Sequence, residues 1–290
     1  MKWLNTQQKT TSLIDARDIA ARLPDIMLDA QKIASTIQAG THGRRRAGHG
    51  DHFWQYRNYD TQTDAVSRID WRQSARSDHL YVREQEDERA QSIHIWIDPA
   101  PAMHYASAQA LKSKYEYIFT LCIALAYQLT SGGERIITQT TAGVNETVNH
   151  PRHVERLAHH ILSNPPHPNF ALPKDGLVII ATDGFSHETK TFETLISNAR
   201  AQNAKIYLLN PIDPTEQSYD FTGHVKFEDM QASDHFEIQN AKALQASYLN
   251  KFQAHQKMLD NLFTTDKTLH FTTDVPLIDS AGAVTKMLIL

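Results

Sequence analysis

Two aspartates carry the clearest chemical signal in this sequence. Asp98 closes the apolar run Ser92-Ile93-His94-Ile95-Trp96-Ile97, and Asp183 closes Gly176-Leu177-Val178-Ile179-Ile180-Ala181-Thr182. Each run reads as a buried strand, the second as a central parallel strand covered on both faces. Carboxylates supplied by two neighbouring strand ends make a site for a hard cation such as Mg²⁺, which takes a few carboxylate and hydroxyl oxygens plus water. Other candidate chemistry is weaker. The single cysteine, Cys122, excludes an internal disulfide and a cysteine-only zinc cage, and its apolar surroundings suit a buried thiol. The chain has 16 histidines, and the close groups are His49/His52, His150/His153 and His159/His160. His150 precedes Pro151 and so falls outside a helix, while adjacent His159 and His160 diverge on one. Solvent-facing histidines are the better account of them.

The elements that would position the aspartates follow from periodicity. An N-terminal helix is expected from about Pro24 to Gln38, with Ile26, Ala30, Ile33 and Ile37 on one face and Gly40 as a stop. Residues 41 to 78 show no period but are dense in Phe53, Trp54, Tyr56, Tyr59 and Trp71, which predicts a packed, irregular segment. From residue 79 strands and helices alternate. Strands are expected at 80–84, 92–97, 135–138, 143–148, 176–182, 205–209, 224–227 and 268–271. Helices are expected at about 107–130, 151–162, 188–202, 241–259 and 277–288. That order is the sequence form of an α/β fold with a mostly parallel open sheet and helices on both faces. The expected division is 1–78, an N-terminal helix with an Arg/aromatic-rich segment, and 79–290, the α/β domain.

Composition bounds the function classes. With 41% hydrophobic and 21% charged residues and a formal charge of −4, bulk binding to nucleic acid or anionic membrane is disfavoured. The Arg44-Arg45-Arg46 cluster beside glycines is a minor exception. The greasiest stretch, Tyr117 to Leu129, is short of the roughly 20 apolar residues a membrane span needs, and no secretory leader is visible. A cytoplasmic location without direct membrane insertion is therefore expected.

Two resemblances sharpen these expectations. Asp98-Pro99-Ala100-Pro101-Ala102-Met103 resembles the Asp-x-Ser-x-Ser loop of the metal-ion-dependent adhesion site in von Willebrand factor A domains, and Ala181-Thr182-Asp183-Gly184 resembles that family's second aspartate. Both serines are alanines here, and a methyl has no lone pair to offer. Thr140 and Thr141 are candidates for the family's threonine ligand. The resemblance implies a von Willebrand factor A-like fold with a degenerate metal site at Asp98 and Asp183, and no cofactor beyond weakly held Mg²⁺.

The longer signature lies upstream. Gly43 to Gly48, then Phe53-Trp54-Gln55-Tyr56-Arg57-Asn58-Tyr59, then Ser67-Arg68-Ile69-Asp70-Trp71-Arg72-Gln73-Ser74-Ala75-Arg76, then Tyr81-Val82-Arg83-Glu84-Gln85-Glu86 resembles the bacterial DUF58 family. One departure is Thr63-Asp64 where that family has Gly-Asp. Physically, Arg57, Arg72, Arg76 and Arg83 alternating with Asp64, Asp70 and Glu84 suits a network of ion pairs and stacks, with Tyr59, Trp71 and Ser74 among them. The alternative is a partner-binding surface. The resemblance implies a non-enzymatic interaction module, since members are commonly encoded beside MoxR-type AAA+ ATPases. The expected partners are such an ATPase and an unidentified client protein. Two alternatives use Asp98 and Asp183 differently, as a metal-dependent hydrolase or phosphotransferase, or as a working Mg²⁺-dependent adhesion module. Against an enzyme, no phosphate loop or nucleophile elbow is present, and the position two beyond Asp98 is Ala100.

Overall fold

A computed structural model describes residues 2–5, 19, 21–38, 47–60, 64–77, 79–86, 91–139, 143–163, 172, 174–228, 235–263 and 267–289. The chain divides into two compact units, one made of Met1–Gly40 with Gln91–Leu290, the other of Thr41–Ala90. The expected boundary at 78/79 therefore differs from this division at both ends. The N-terminal helix belongs with the sheet, and the strand after residue 79 belongs with the Arg-rich segment.

In chain order the first unit begins with β1 (Lys2–Asn5) and α1 (Leu23–Gln38), and the second holds β2 (Ala47–Asn58), α2 (Trp71–Ser74) and β3 (Tyr81–Glu86). The first unit resumes with β4 (Ser92–Ile97), α3 (Lys114–Ser131), β5 (Arg135–Gln139), β6 (Asn145–Val148), α4 (Val154–Ser163) and β7 (Leu177–Ala181). It continues with α5 (Thr189–Ala201), β8 (Lys205–Ile212), α6 (Pro214–Ser218), β9 (Val225–Glu228), β10 (His235–Ile238), α7 (Gln245–Leu262), β11 (Lys267–Thr272) and α8 (Leu277–Ile289).

Six strands form one sheet in the order β11-β8-β7-β4-β5-β6, all parallel except β6, which runs antiparallel to β5. Numbered within the sheet by chain position, that is the order 3-2-1-4-5-6 of doubly wound α/β folds, whose topological switch point falls between the first and fourth strands. Here those strands are β4 and β7. The pleat sends alternate residues to opposite faces. Ile93, Ile95, Ile97, Ile179 and Ala181 join α1, α3 and α4 in one core, while Trp96, Val178 and Ile180 pack with Phe192, Leu195, Leu259 and Phe263 in the other. The expected α/β architecture, von Willebrand factor A-like with helices on both faces, is the one observed.

Helix α3 is buried on every side over its first three turns, as its all-round apolar sequence requires. It starts at Lys114 rather than near Ser107. Ser113 caps it by accepting from the Glu116 amide at 3.2 Å. Before the cap, the Ser107 amide is drawn to Asp213 and the Leu111 amide to the Thr273 carbonyl, so residues 107–113 bond to neighbouring loops instead of to a helix. Within the helix, Glu116 is buried and receives both guanidinium nitrogens of Arg22 and the Lys112 ammonium, each at 2.7 Å. That bidentate pair ties the segment ahead of α1 to the core helix.

Other expectations shift in position or kind. The strand near 224–227 is β9, but it lies in a separate antiparallel sheet with β1 and β10. The segment expected to be irregular contains β2, which pairs with β3 across register shifts at Gly48/Phe53 and Phe53/Gln55. Those bulges break the two-residue alternation that would have revealed a strand.

Candidate functional site: the strand-end crevice

The ends of β4 and β7 are paired residue for residue, Ile97 opposite Ala181, so Asp98 emerges beside Thr182 and Asp183 follows one position further on, at the switch point. Parallel open sheets bind ligands in that crevice. Both carboxylates are buried, and each is fully engaged from within the chain.

Asp98 accepts from the Thr182 hydroxyl at 2.6 Å and from the Ala100 amide at 2.9 Å. The His187 Nε2 lies 3.2 Å from the same oxygen that accepts from Thr182, an ion-pair contact rather than an aligned hydrogen bond. The Asp98 carboxylate holds the His187 pKa above its usual value, outweighing the effect of partial burial. Thr182 also accepts from the Gly184 amide at 3.0 Å, so one hydroxyl links Asp98 to the turn after β7. That turn needs glycine: Gly184 has φ +74, and an added Cβ would meet Leu259 at 2.9 Å.

Asp183 faces the other way. It accepts from the Lys114 ammonium at 2.7 Å and from the Phe185 amide at 3.1 Å. The same ammonium lies 2.7 Å from Glu216. Lys114 is 1% exposed, and Phe185 places its ring 6.0 Å from the charge. Burial alone would raise the pKa of Asp183, but the Lys114 charge and hydrogen bond bring it below the usual value. For Glu216 burial wins and its pKa is raised despite Lys114. Burial would lower the Lys114 pKa, and its two carboxylate partners together reverse this, so the ammonium is held firmly charged.

Glu216 is positioned by α6. Asp213 caps that helix through the Thr215 amide and hydroxyl at 2.9 and 2.7 Å, and Glu216 reaches back to the Asp213 amide at 3.1 Å. This is a reciprocal capping box. Asp213 also accepts from the Ser107 amide, and Tyr105 meets Thr215 at 2.9 Å, so the loop after β4 is sewn to the loop after β8. His255 of α7 contacts the Asp183 carbonyl at 2.8 Å and stacks on Phe185.

These groups do not fit a divalent cation of the adhesion-site kind. Ala100 and Ala102 present methyls, Asp98 is spent on a hydroxyl and an amide, and the ammonium already lies against Asp183. Among the described residues no group of three or more His, Cys, Asp or Glu side chains is arranged to hold a metal. Thr140 and Thr141 lie outside the described residues. Lys114, Glu216, His187 and Thr182 are the site residues that sequence reasoning missed. A lysine heading an all-apolar helix, and Asp213-Pro214-Thr215-Glu216 as a capping-box pattern, were the available signals.

The upstream signature forms its own unit. Arg57 grips Asp64 through two bonds at 2.9 and 2.8 Å, and Asp64 is nearly buried. Asp70 caps α2 by accepting from the Gln73 amide, while Ser74 donates to the Asp70 carbonyl and accepts from the Tyr81 amide. The Tyr59 amide donates to the Leu80 carbonyl. So Arg57, Tyr59, Asp64, Asp70 and Ser74 are built into the fold of this unit. Trp71, 60% exposed, points outward with Arg72 and Arg76. Arg83 and Glu84 take part in β3, opposite Tyr56 and Gln55, and their side chains lie outside the described ones, as do Arg44 to Arg46. The His150 ring accepts from the Arg152 amide as a cap ahead of Pro151, and His159 is exposed beside Glu155. Cys122 is buried, which pushes its thiol up to about 12.

The sheet order and the strand-end crevice thus define an α/β protein of the doubly wound class. Residues 55–258 match the family model described as "Protein of unknown function DUF58", and the chain belongs to that family. No curated protein matches it. Among solved structures it is similar to the conserved hypothetical protein BatB from Bacteroides thetaiotaomicron, at 11% identity and a TM-score of 0.39 over 69% of this chain and 99% of that one. It is also similar to an aerotolerance-related membrane protein from Bacteroides fragilis NCTC 9343, at 13% identity and a TM-score of 0.36 over 69% and 98%. Among the described residues no helix is long and apolar enough to cross a membrane.

Proposed function

We propose that this chain is a cytoplasmic protein-interaction module rather than an enzyme, acting with a MoxR-type AAA+ ATPase to present a client protein. The observation that carries the reading is the state of the crevice. Its carboxylates are engaged from inside, by Lys114, Thr182 and backbone amides, so none is left poised as nucleophile, general base or open metal position. Membership of the DUF58 family supports the ATPase partnership by resemblance. The surface that suits a partner is the outward face of α2 and the turn after it, where Trp71, Arg72 and Arg76 are exposed. Tryptophan and arginine are the residue types that most often anchor interfaces.

The test is calorimetric titration with a MoxR-type AAA+ ATPase from the same organism, together with that ATPase's hydrolysis rate. Saturable binding is expected, weakened at least about tenfold by Trp71→Ala combined with Arg72→Ala, a loss typical of interface anchors. Absence of binding, with an unchanged hydrolysis rate, refutes the partnership. Metal-dependent phosphoester turnover lost in Asp98→Asn refutes the non-enzymatic reading.

A further inference from the structure

We infer that Lys114 supplies, from within the chain, the cation around which the crevice is built, standing where a divalent metal would otherwise bridge Asp183 and Glu216. The geometry carries this. One ammonium lies 2.7 Å from an oxygen of each carboxylate, the two coming from the end of β7 and from α6 beyond β8. An object of single positive charge therefore joins two loops that start on neighbouring strands. Mg²⁺ and Mn²⁺ are commonly held by one or two carboxylates, with water filling the remaining positions. Removing the lysine side chain would leave one buried acid, Asp183, and one largely buried acid, Glu216, facing one vacated volume, with a third, Asp98, on the adjoining strand end.

The neighbours fit the same account. Glu216 is held in place by the capping box whatever Lys114 does, because its other oxygen accepts from the Asp213 amide. Asp183 is likewise fixed by the Phe185 amide. Both acids are thus preorganised for a cation rather than drawn in by the lysine. Lys114 itself is aimed by the Ser113 cap, which sets the first turn of α3 beneath the crevice. The crevice is in consequence permanently charged and indifferent to divalent ions. This inference concerns the crevice alone and does not depend on any partner.

The test uses the full-length chain and Mn²⁺ alone, followed by electron paramagnetic resonance and by thermal unfolding. The wild type should hold no Mn²⁺ up to about 1 mM, the weak end of carboxylate sites, and its melting temperature should not move. Lys114→Ala should gain one Mn²⁺, and saturating metal should raise its melting temperature by at least about 5 °C. Asp183→Asn or Glu216→Gln placed on that background should remove the gain. Should Lys114→Ala be unfolded in chelator, refolding on adding Mn²⁺ is the same expected result. A wild-type protein that binds Mn²⁺ in an Asp183-dependent way overturns the inference. So does a Lys114→Ala variant that is neither bound, shifted nor refolded by metal.

Discussion

Replacing Lys114 by methionine keeps an unbranched side chain one atom shorter and removes the ammonium. Asp183 and Glu216 would then be buried against each other with no cation. Breaking a buried ion pair by deleting one partner costs about 3–5 kcal/mol. For a chain of this size that corresponds to a fall in melting temperature of roughly 6 to 20 °C. The loss should also depend on pH in a defined direction. Without Lys114 both acids have folded-state pKa values raised by burial, above their ordinary 3.8 and 4.5. A raised acid contributes stability at low pH and loses it as pH rises through the folded value. The Lys114→Met penalty should therefore be larger at pH 8 than at pH 5, where protonation partly relieves it. In the wild type the Asp183 contribution runs the opposite way, present above pH 3.8 and lost as pH falls, because Lys114 depresses that pKa. Lys114 has a raised pKa, so its own contribution persists up to 10.5 and is lost only above it. Thermal unfolding of both proteins at pH 5 and pH 8 measures the change in that penalty, and points below pH 3.8 and above pH 10.5 reach the wild-type Asp183 and Lys114 contributions. A methionine variant within about 1 kcal/mol of wild type at both pH values would refute the reasoning, since it would place the cluster among exposed pairs of little worth.

Asp98→Asn should return the His187 pKa towards 6.5, seen as a downfield-to-upfield titration shift by NMR; the stability that protonated His187 adds below 6.5, and loses as pH rises through its folded value, should shrink with it. Gly184→Ala should cost about 1–3 kcal/mol in chemical denaturation, from positive φ and the approach to Leu259. Asp70→Ala removes the cap of α2 and the Gln73 bond, and should cost about 1 kcal/mol, read as faster hydrogen exchange at the Gln73 amide.

The fold was largely legible because its strands and helices obey their periods. The run from Leu177 to Ala181 is buried at every position, as a central parallel strand demands, and the placement of Asp98 and Asp183 at neighbouring strand ends follows from strand order alone. What stayed hidden was set by tertiary contact. Lys114 reads locally as the polar start of an otherwise apolar helix, and only the fold brings Glu216, 102 positions later, to the same ammonium. Thr182 passes as the last residue of a strand, and its hydroxyl gains meaning once β4 lies beside β7. β2 was hidden by its bulges, and β10 by its brevity. In the signature segment, residue types alone could not separate Arg57, whose guanidinium is committed to Asp64, from Arg72 and Arg76, which face outward.

The Arg22–Glu116 clasp has a practical reading for anyone who trims this protein. The family match spans 55–258, and a chain cut to those limits would lose α1, β11 and α8 together. Ile26, Ala30, Phe271, Ala281 and Val284 would go with them, uncovering one face of the core. Glu116 would remain buried in α3 with only Lys112 to answer it. The stretch that is shared across relatives and the stretch that can fold are different objects here. Solubility screens that begin at residue 55 would mistake a torn core for an unstable family.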